Sequence, residues 1–166
     1  MERIDTRSPY IGIVGTGTCP PELGDLAAEV GREVARKGAV LICGGLGGVM
    51  TEAARGAKEV GGTTLGILPG PDKGGANEFI DFPIATNMGQ ARNAIIVQTA
   101  DVLISIGGGY GTLSEIALAL KIGKGVIALK PRFEVAGVLT VETARDAVHE
   151  ALTLVEFGRR PPAVLK

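Results

Sequence analysis

Short apolar runs alternate along the chain with longer segments in which apolar positions recur at helical spacing. The runs at 10–14, 39–43, 63–68, 102–106 and 125–129 have the continuous apolar character of strands buried on both faces. Helical periodicity follows at 20–37, 49–60, 88–100, from the glycine turn at 107–111 to 122, and at about 142–157. A further short strand fits within 79–85. This alternation predicts an α/β fold, a doubly wound parallel sheet with helices on both faces.

Length and charge limit the function classes. The 166 residues fit one domain over 1–166, and 17 basic residues nearly balance 18 acidic ones, so we expect neither nucleic acid nor membrane as a partner. Residues 1–7 lack the apolar core of a signal peptide, and no apolar run reaches the length of a membrane span. Cys19, Cys43 and the one histidine show no metal-ligand spacing. We therefore expect a cytoplasmic protein with no metal site.

Three of the predicted strands end in glycine-rich turns, at 15–17, 44–48 and 107–111. The carboxyl ends of parallel strands share one edge of the sheet, which is where ligands bind in such folds. The third turn leads directly into a helix, whose free N–H groups and positive end suit an anion such as phosphate. The alternative is a tight turn closed by a capping box, with Thr112 as the cap and Glu115 three residues later. Both interpretations remain open at this stage.

The common nucleotide and hydrolase motifs do not match. Pro20 stands where the dinucleotide fingerprint requires its third glycine, and Gly123-Lys124 lacks the other residues of an ATPase phosphate loop. Ser114 lies within a predicted helix, out of register with the G-x-S-x-G motif and without a nearby histidine. Generic NAD-binding, ATPase and serine hydrolase functions are therefore disfavoured.

A more specific combination remains. Residues 108–115 read G-G-x-G-T-x-x-E, Arg92 lies upstream in M-G-Q-A-R-N, and 44–48 read G-G-L-G-G. This combination resembles the LOG family, also called "lysine decarboxylase-like", whose pattern is P-G-G-x-G-T-x-x-E with an upstream arginine. The G-G-G-Y-G-T form at 107–112 is most similar to a short branch that includes a carrier of molybdenum cofactor. The likeness extends from residue 10 to about 129.

The resemblance implies a Rossmann-like homodimer or higher homo-oligomer that binds a small phosphorylated, nucleotide-like ligand. In LOG enzymes it implies cleavage of the base–ribose bond of a nucleoside 5′-monophosphate. Arg92 and Glu115 would then be the catalytic pair. Phosphate and nucleotide contacts would come from the three turns, namely Gly15, Thr16, Gly17, Gly44, Gly45, Gly47, Gly108, Gly109, Gly111 and Thr112.

Two departures from the family pattern keep a second function open. Gly107 replaces the proline that starts the pattern, and Asn93 replaces the lysine that follows the arginine in cytokinin-activating members. The first hypothesis is a nucleoside-monophosphate phosphoribohydrolase that requires no cofactor. The second is a non-catalytic carrier or sensor of a phosphorylated nucleotide or pterin, such as molybdenum cofactor. True lysine decarboxylation is rejected, because no lysine has a recognisable pyridoxal-phosphate context.

Individual residues leave further alternatives. N-glycosidic cleavage passes through an oxocarbenium-like ribose. The Glu115 carboxylate could stabilise the positive charge of this ribose, bind its hydroxyls, or help a water molecule to attack it. Arg92 could polarise the departing base or clamp the phosphate, or the two residues could form only an ion pair between helices. The nearly all-round apolar helix at 88–100 fits either a homodimer contact or the monomer core. Cys19, Lys73 and His149 are interpreted as a small turn residue, a solvated loop lysine and a solvated histidine.

Overall fold

The computed structural model describes residues 8–159 and places seven strands and five α-helices there. The strands are β1 (Tyr10–Gly15), β2 (Val40–Cys43), β3 (Thr63–Leu68), β4 (Phe82–Ala85), β5 (Val102–Ile106), β6 (Val126–Leu129) and β7 (Leu139–Val141). The helices are α1 (Pro21–Arg36), α2 (Val49–Glu59), α3 (Asn93–Thr99), α4 (Tyr110–Lys121) and α5 (Ala144–Arg159), with short 3₁₀ turns at Lys73–Gly75 and Gly89–Arg92. The expectation that residues 1–7 are not a signal peptide lies outside the described residues.

All seven strands are parallel, in the order β4-β3-β2-β1-β5-β6-β7. The predicted doubly wound, Rossmann-like sheet is confirmed. Winding runs outward from β1 through β2 to β4, then returns to the other side of β1 at β5. The carboxyl ends of β1 and β5 therefore flank the point of reversal, the usual place for a ligand in this fold.

The alternation of side chains along each strand separates the core into two layers. Ile11 and Ile13 of β1 face the layer formed with α1, α2 and α5, whereas Val14 faces the layer formed with α3 and α4. Two interior helical glycines, Gly31 and Gly56, bring α1 and α2 into close contact, because a Cβ at either would overlap backbone of the other helix. This packing holds the first two glycine turns side by side.

The start of α4 differs from the prediction. The helix begins at Tyr110 with Gly109 at the N-cap, and no side chain caps it. Thr112 and Glu115 are therefore interior helical residues, and the capping-box alternative was wrong. The physical reason lies at Gly108, whose φ of +117° turns the chain into the helix before Thr112 is reached and leaves no room for a Cβ beside Thr112.

Two further elements were not resolved by the hydrophobic pattern. β7 is a three-residue edge strand, and its stretch Val138-Leu139-Thr140-Val141 is too short and too exposed to stand out as a strand buried on both faces. The segment predicted as one helix over 88–100 starts as a 3₁₀ turn and becomes α3 only at Asn93. α3 buries Ile96 and Val97 but exposes Ala94, so one face remains open to solvent. Between residues 8 and 159, no helix combines the length and apolar character that a bilayer crossing requires.

Candidate functional site

A cavity of about 310 Å³ opens at the carboxyl ends of β1, β2 and β5, beside the point where the winding reverses. Its volume is at the lower end of the range for small-molecule sites. We refer to it as the central cavity. It is lined by Ile13, Val14, Gly15, Thr16, Gly17, Gly44, Leu46, Met50, Gln90, Arg92, Asn93, Gly109, Gly111, Thr112 and Glu115.

Most of the residues that the sequence singles out meet here, although they come from four separate segments. The central cavity contains Gly15, Thr16, Gly17, Gly44, Arg92, Gly109, Gly111, Thr112 and Glu115. Three others lie outside it. Gly45 is buried against Leu68, Gly47 is exposed at the second turn, and Gly108 borders a neighbouring cavity. The ligand contacts themselves remain predictions for all of these residues.

Some glycines of the first and third turns leave open space in the central cavity. A Cβ added to Gly17, Gly109 or Gly111 would meet no atom within 4 Å. Because no side chain caps α4, the N–H groups of its first turn also have no side-chain partner there. Open space beside a free helix N-terminus is what a phosphate group requires, since the backbone donors can approach its oxygens directly.

Arg92 is a buried cation with unused hydrogen-bonding capacity. Its side chain is 7% exposed, and its guanidinium donates to the carbonyl oxygen of Gly44 at 3.3 Å and to the side-chain oxygen of Asn93. Nε is buried and, within residues 8–159, has no hydrogen-bond partner. Burial lowers the pKa of Arg92, but a guanidinium remains protonated in proteins. A buried charge with an unmet donor favours an anionic ligand.

Gly44 and Asn93 hold Arg92 in this position. A Cβ on Gly44 would collide with the guanidinium, so only glycine allows the approach. Asn93 directly follows Arg92 and orients it through its amide oxygen. Sequence reasoning had noted Asn93 only as a departure from the family pattern, although its place next to the arginine was a usable signal. Gln90, Leu46 and Met50 of the cavity wall were not predicted at all.

Glu115 supplies a second buried ionisable group in the lining of the central cavity. It projects from α4, is 7% exposed, and burial raises its pKa to about 7 while the charge of Arg92 opposes the rise. In the described part of the chain the two side chains form no ion pair, and Arg92 uses Gly44 and Asn93 instead. The alternative of a purely structural Arg92–Glu115 ion pair is therefore contradicted. Both charges face the same cavity without contacting each other.

The cysteines contribute no nucleophile. Cys43 is fully buried below the second turn, and desolvation raises the pKa of its thiol to about 11. Burial also raises the pKa of Cys19. His149 and Lys73 are exposed and lie outside the central cavity. Residues 8–159 contain no group of three or more His, Cys, Asp and Glu side chains that could hold a metal ion.

Comparison with known proteins identifies the family. The model of the SLOG cluster4 family matches residues 8–156. The chain belongs to the SLOG cluster4 family. An uncharacterized protein of Archaeoglobus fulgidus is 52% identical to this SLOG chain, and the match covers 86% of this chain and 94% of the relative. The predicted relationship to LOG proteins is also confirmed, because a cytokinin riboside 5′-monophosphate phosphoribohydrolase of Mycobacterium tuberculosis is 37% identical over 57% of this chain.

The relatives differ in how completely they correspond to this SLOG protein. The chain covers only 52% of the Mycobacterium tuberculosis enzyme. A solved structure, the molybdenum cofactor binding protein of Rippkaea orientalis, superimposes with a TM-score of 0.86 at 35% identity, over 91% of this chain and 99% of that one. The fold therefore matches a cofactor-binding relative over nearly its whole length, whereas the match to an enzyme is partial.

Proposed function

We propose that this SLOG protein is a nucleoside 5′-monophosphate phosphoribohydrolase whose active site is the central cavity. The observation that carries the proposal is the pair of buried charges, Arg92 and Glu115, which form no ion pair within residues 8–159 and lie beside an open glycine cradle. A nucleotide phosphate is expected to occupy the cradle at the N-terminus of α4, with donors from Gly109 and Gly111. Glu115, in the second turn of the same helix, then faces the ribose.

The chemistry follows from these positions. Water adds its hydroxyl to C1′ of the ribose, the C1′–N bond breaks, and the base leaves with the bonding electron pair. Glu115 in its ionised form stabilises the positive charge on the ribose and accepts the proton released by the water. That proton is passed on to the base, and the second product is ribose 5-phosphate. Arg92 neutralises negative charge, on the phosphate or on the departing base.

The test is product formation from a panel of nucleoside 5′-monophosphates, with free base and ribose 5-phosphate quantified by chromatography. Glu115→Gln should retain nucleotide binding and lose at least about 100-fold in kcat, the scale of general acid–base catalysis. Glu156→Gln, which removes an exposed carboxylate of α5, is the matched control and should turn over normally. Folded wild-type protein that binds nucleotides but releases no base from any of them would refute catalysis.

A second candidate function is carriage of a phosphorylated pterin. It is favoured by the near-complete structural match to the molybdenum cofactor binding protein of Rippkaea orientalis. In this case the glycine cradle and Arg92 hold the terminal phosphate of the cargo, and no bond is broken. Native mass spectrometry of freshly purified protein distinguishes the two functions, since a retained pterin without nucleotide turnover supports carriage. A homogeneous unliganded mass, together with nucleotide hydrolysis, would refute it.

We also infer that the protein forms a homodimer through α3 and α4. Support comes from the apolar side chains that these neighbouring helices leave exposed, with Ala94 on α3 and Leu118 and Ile122 at the α4 end. Light scattering coupled to size exclusion should give twice the chain mass, and Leu118→Glu should shift it towards the monomer. A wild-type monomer at all concentrations would refute the inference.

A further inference from the structure

A second cavity adjoins the central one on the other side of the third glycine turn. It has a volume of about 500 Å³ and lies between the β1–α1 turn and the chain that follows β6. We call it the outer cavity. Thr16 lines both cavities, and the turn divides them: Gly107 and Gly108 border the outer cavity, whereas Gly109 and Gly111 border the central one. A ligand in the central cavity therefore has a second compartment directly beside its phosphate position.

The partition between the two cavities carries no side chains. Gly107 and Gly108 have φ values of +58° and +117°, a conformation that L side chains rarely adopt. A Cβ at Gly107 would also press against Leu23 at 2.9 Å, and one at Gly108 would overlap Thr112. At Gly107 and Gly108 the boundary between the compartments is therefore bare backbone, over which an extended ligand can pass.

The rim of the outer cavity is basic. Lys130 and Arg132 line it, and no carboxylate does so in the described part of the chain. Lys130 is paired with Glu142 at 3.1 Å, with both side chains largely exposed. Arg132 makes no hydrogen bond or ion pair with the described residues, and its guanidinium lies 5.6 Å from the centre of the Phe133 ring. Arg132 is therefore the cation available to a ligand, whereas the charge of Lys130 is offset by Glu142.

An aromatic contact holds this basic segment against the site. The Phe133 ring stacks on Tyr110, the first residue of α4, with ring centres 5.7 Å apart. Tyr110 lies in sequence between Gly109 and Gly111 of the central cavity, so the contact ties the Arg132 segment to the same helix N-terminus that borders the phosphate cradle. The cation is thereby kept next to the glycine partition.

From this arrangement we propose that the outer cavity binds a second phosphoryl group of the ligand, so that the preferred ligand is a nucleoside 5′-diphosphate or a diphosphate-linked nucleotide ester. The first phosphate occupies the central cavity, and the second crosses Gly108 to reach Arg132. This inference rests on the proposed nucleotide site in the central cavity. It adds to that site a preference for diphosphates over monophosphates, with Arg132 as the determinant.

The experiment compares mono- and diphosphates of adenosine, guanosine, cytidine and uridine by isothermal titration calorimetry, without divalent metal. Wild-type protein should bind at least one diphosphate about tenfold more tightly than its monophosphate, the gain of one charge-assisted contact. The double variant Lys130→Gln/Arg132→Gln should lose this preference and retain monophosphate affinity. Lys121→Gln, an exposed charge at the far end of α4, should keep the wild-type ratio.

The outcomes separate this inference from the proposed function. Equal affinity of the wild type for both members of every pair, or equal weakening of both ligands in the double variant, overturns the outer cavity as a phosphoryl site and leaves the central site standing. If Lys121→Gln also loses the preference for diphosphates, that preference comes from the overall charge of the protein, and the inference is likewise overturned. Failure to bind any of the eight nucleotides refutes the central nucleotide site, and the inference with it.

Discussion

Replacing Glu115 by glutamine should stabilise the protein, by an amount that depends on pH. Burial raises the pKa of Glu115 from an ordinary 4.5 to about 7. Between these values the folded protein retains a proton that the unfolded chain releases. Because the folded state binds more protons, the free energy of unfolding falls as pH rises through this window. Below pH 4.5 both states are protonated, and above pH 7 the cost of the buried carboxylate is complete.

The size of the stabilisation follows from the pKa shift of Glu115. Each pKa unit corresponds to about 1.4 kcal/mol, so the buried carboxylate costs about 3 kcal/mol of stability above pH 7. Glutamine has nearly the same shape and no titratable proton, and it removes this cost. Glu115→Gln should therefore exceed wild type by about 3 kcal/mol at pH 8 and by less than about 1 kcal/mol at pH 5. For a chain of this size, 3 kcal/mol corresponds to a rise in Tm of about 6–12 °C.

The assay is urea unfolding of ligand-free protein at pH 5 and pH 8, followed by circular dichroism. Glu156→Gln serves as the control, because its carboxylate is exposed on α5 and its removal should change stability by less than about 0.5 kcal/mol at either pH. A stability difference between Glu115→Gln and wild type that is the same at both pH values would refute the argument. So would a wild type that is more stable than the variant at pH 8.

Three other outcomes are expected. If Glu115 acts as a carboxylate, kcat/KM should rise with pH about a midpoint near 7, and a profile that falls from pH 6 to 8 would contradict this role. Gly111→Ala should fill the cradle and weaken nucleotide binding at least tenfold, as measured by calorimetry. Because alanine is the better helix former, the same substitution should raise the free energy of unfolding by about 0.5–1 kcal/mol. The control Gly158→Ala, in α5, should leave nucleotide binding unchanged. Lys124 donates to three carbonyls at the end of α3, so Lys124→Met should cost about 1–3 kcal/mol in urea unfolding without altering nucleotide affinity.

The main features of the fold could be predicted from local patterns. Continuous apolar runs identify β1, β2, β3, β5 and β6, because strands buried on both faces of a parallel sheet need apolar side chains in both directions. Helical periodicity identifies the five helices, although α3 begins only at Asn93, after a 3₁₀ turn that the pattern had included in the helix. Since the carboxyl ends of parallel strands share an edge, the sequence also predicts that the three glycine turns lie together.

The electrostatic state of the site could not be predicted in this way. Arg92 and Glu115 are separated in sequence, and only the tertiary structure shows that each is buried and that they do not pair within residues 8–159. A pKa of about 7 for Glu115 depends on how much water the whole fold removes from it. The same holds for Gly45, Gly47 and Gly108, whose positions relative to the central cavity depend on the paths of their turns.

The amino-acid sequence by itself therefore determined the order of strands and helices, the edge that carries the glycine turns, and the family motif. These depend on periodicity and turn chemistry within short stretches. Tertiary structure decided where α4 begins, which glycines face open space, that Arg92 keeps a donor without a partner among residues 8–159, and that a second basic cavity adjoins the first. These properties depend on backbone conformation, burial and distances between segments far apart in the chain, and no local pattern encodes them.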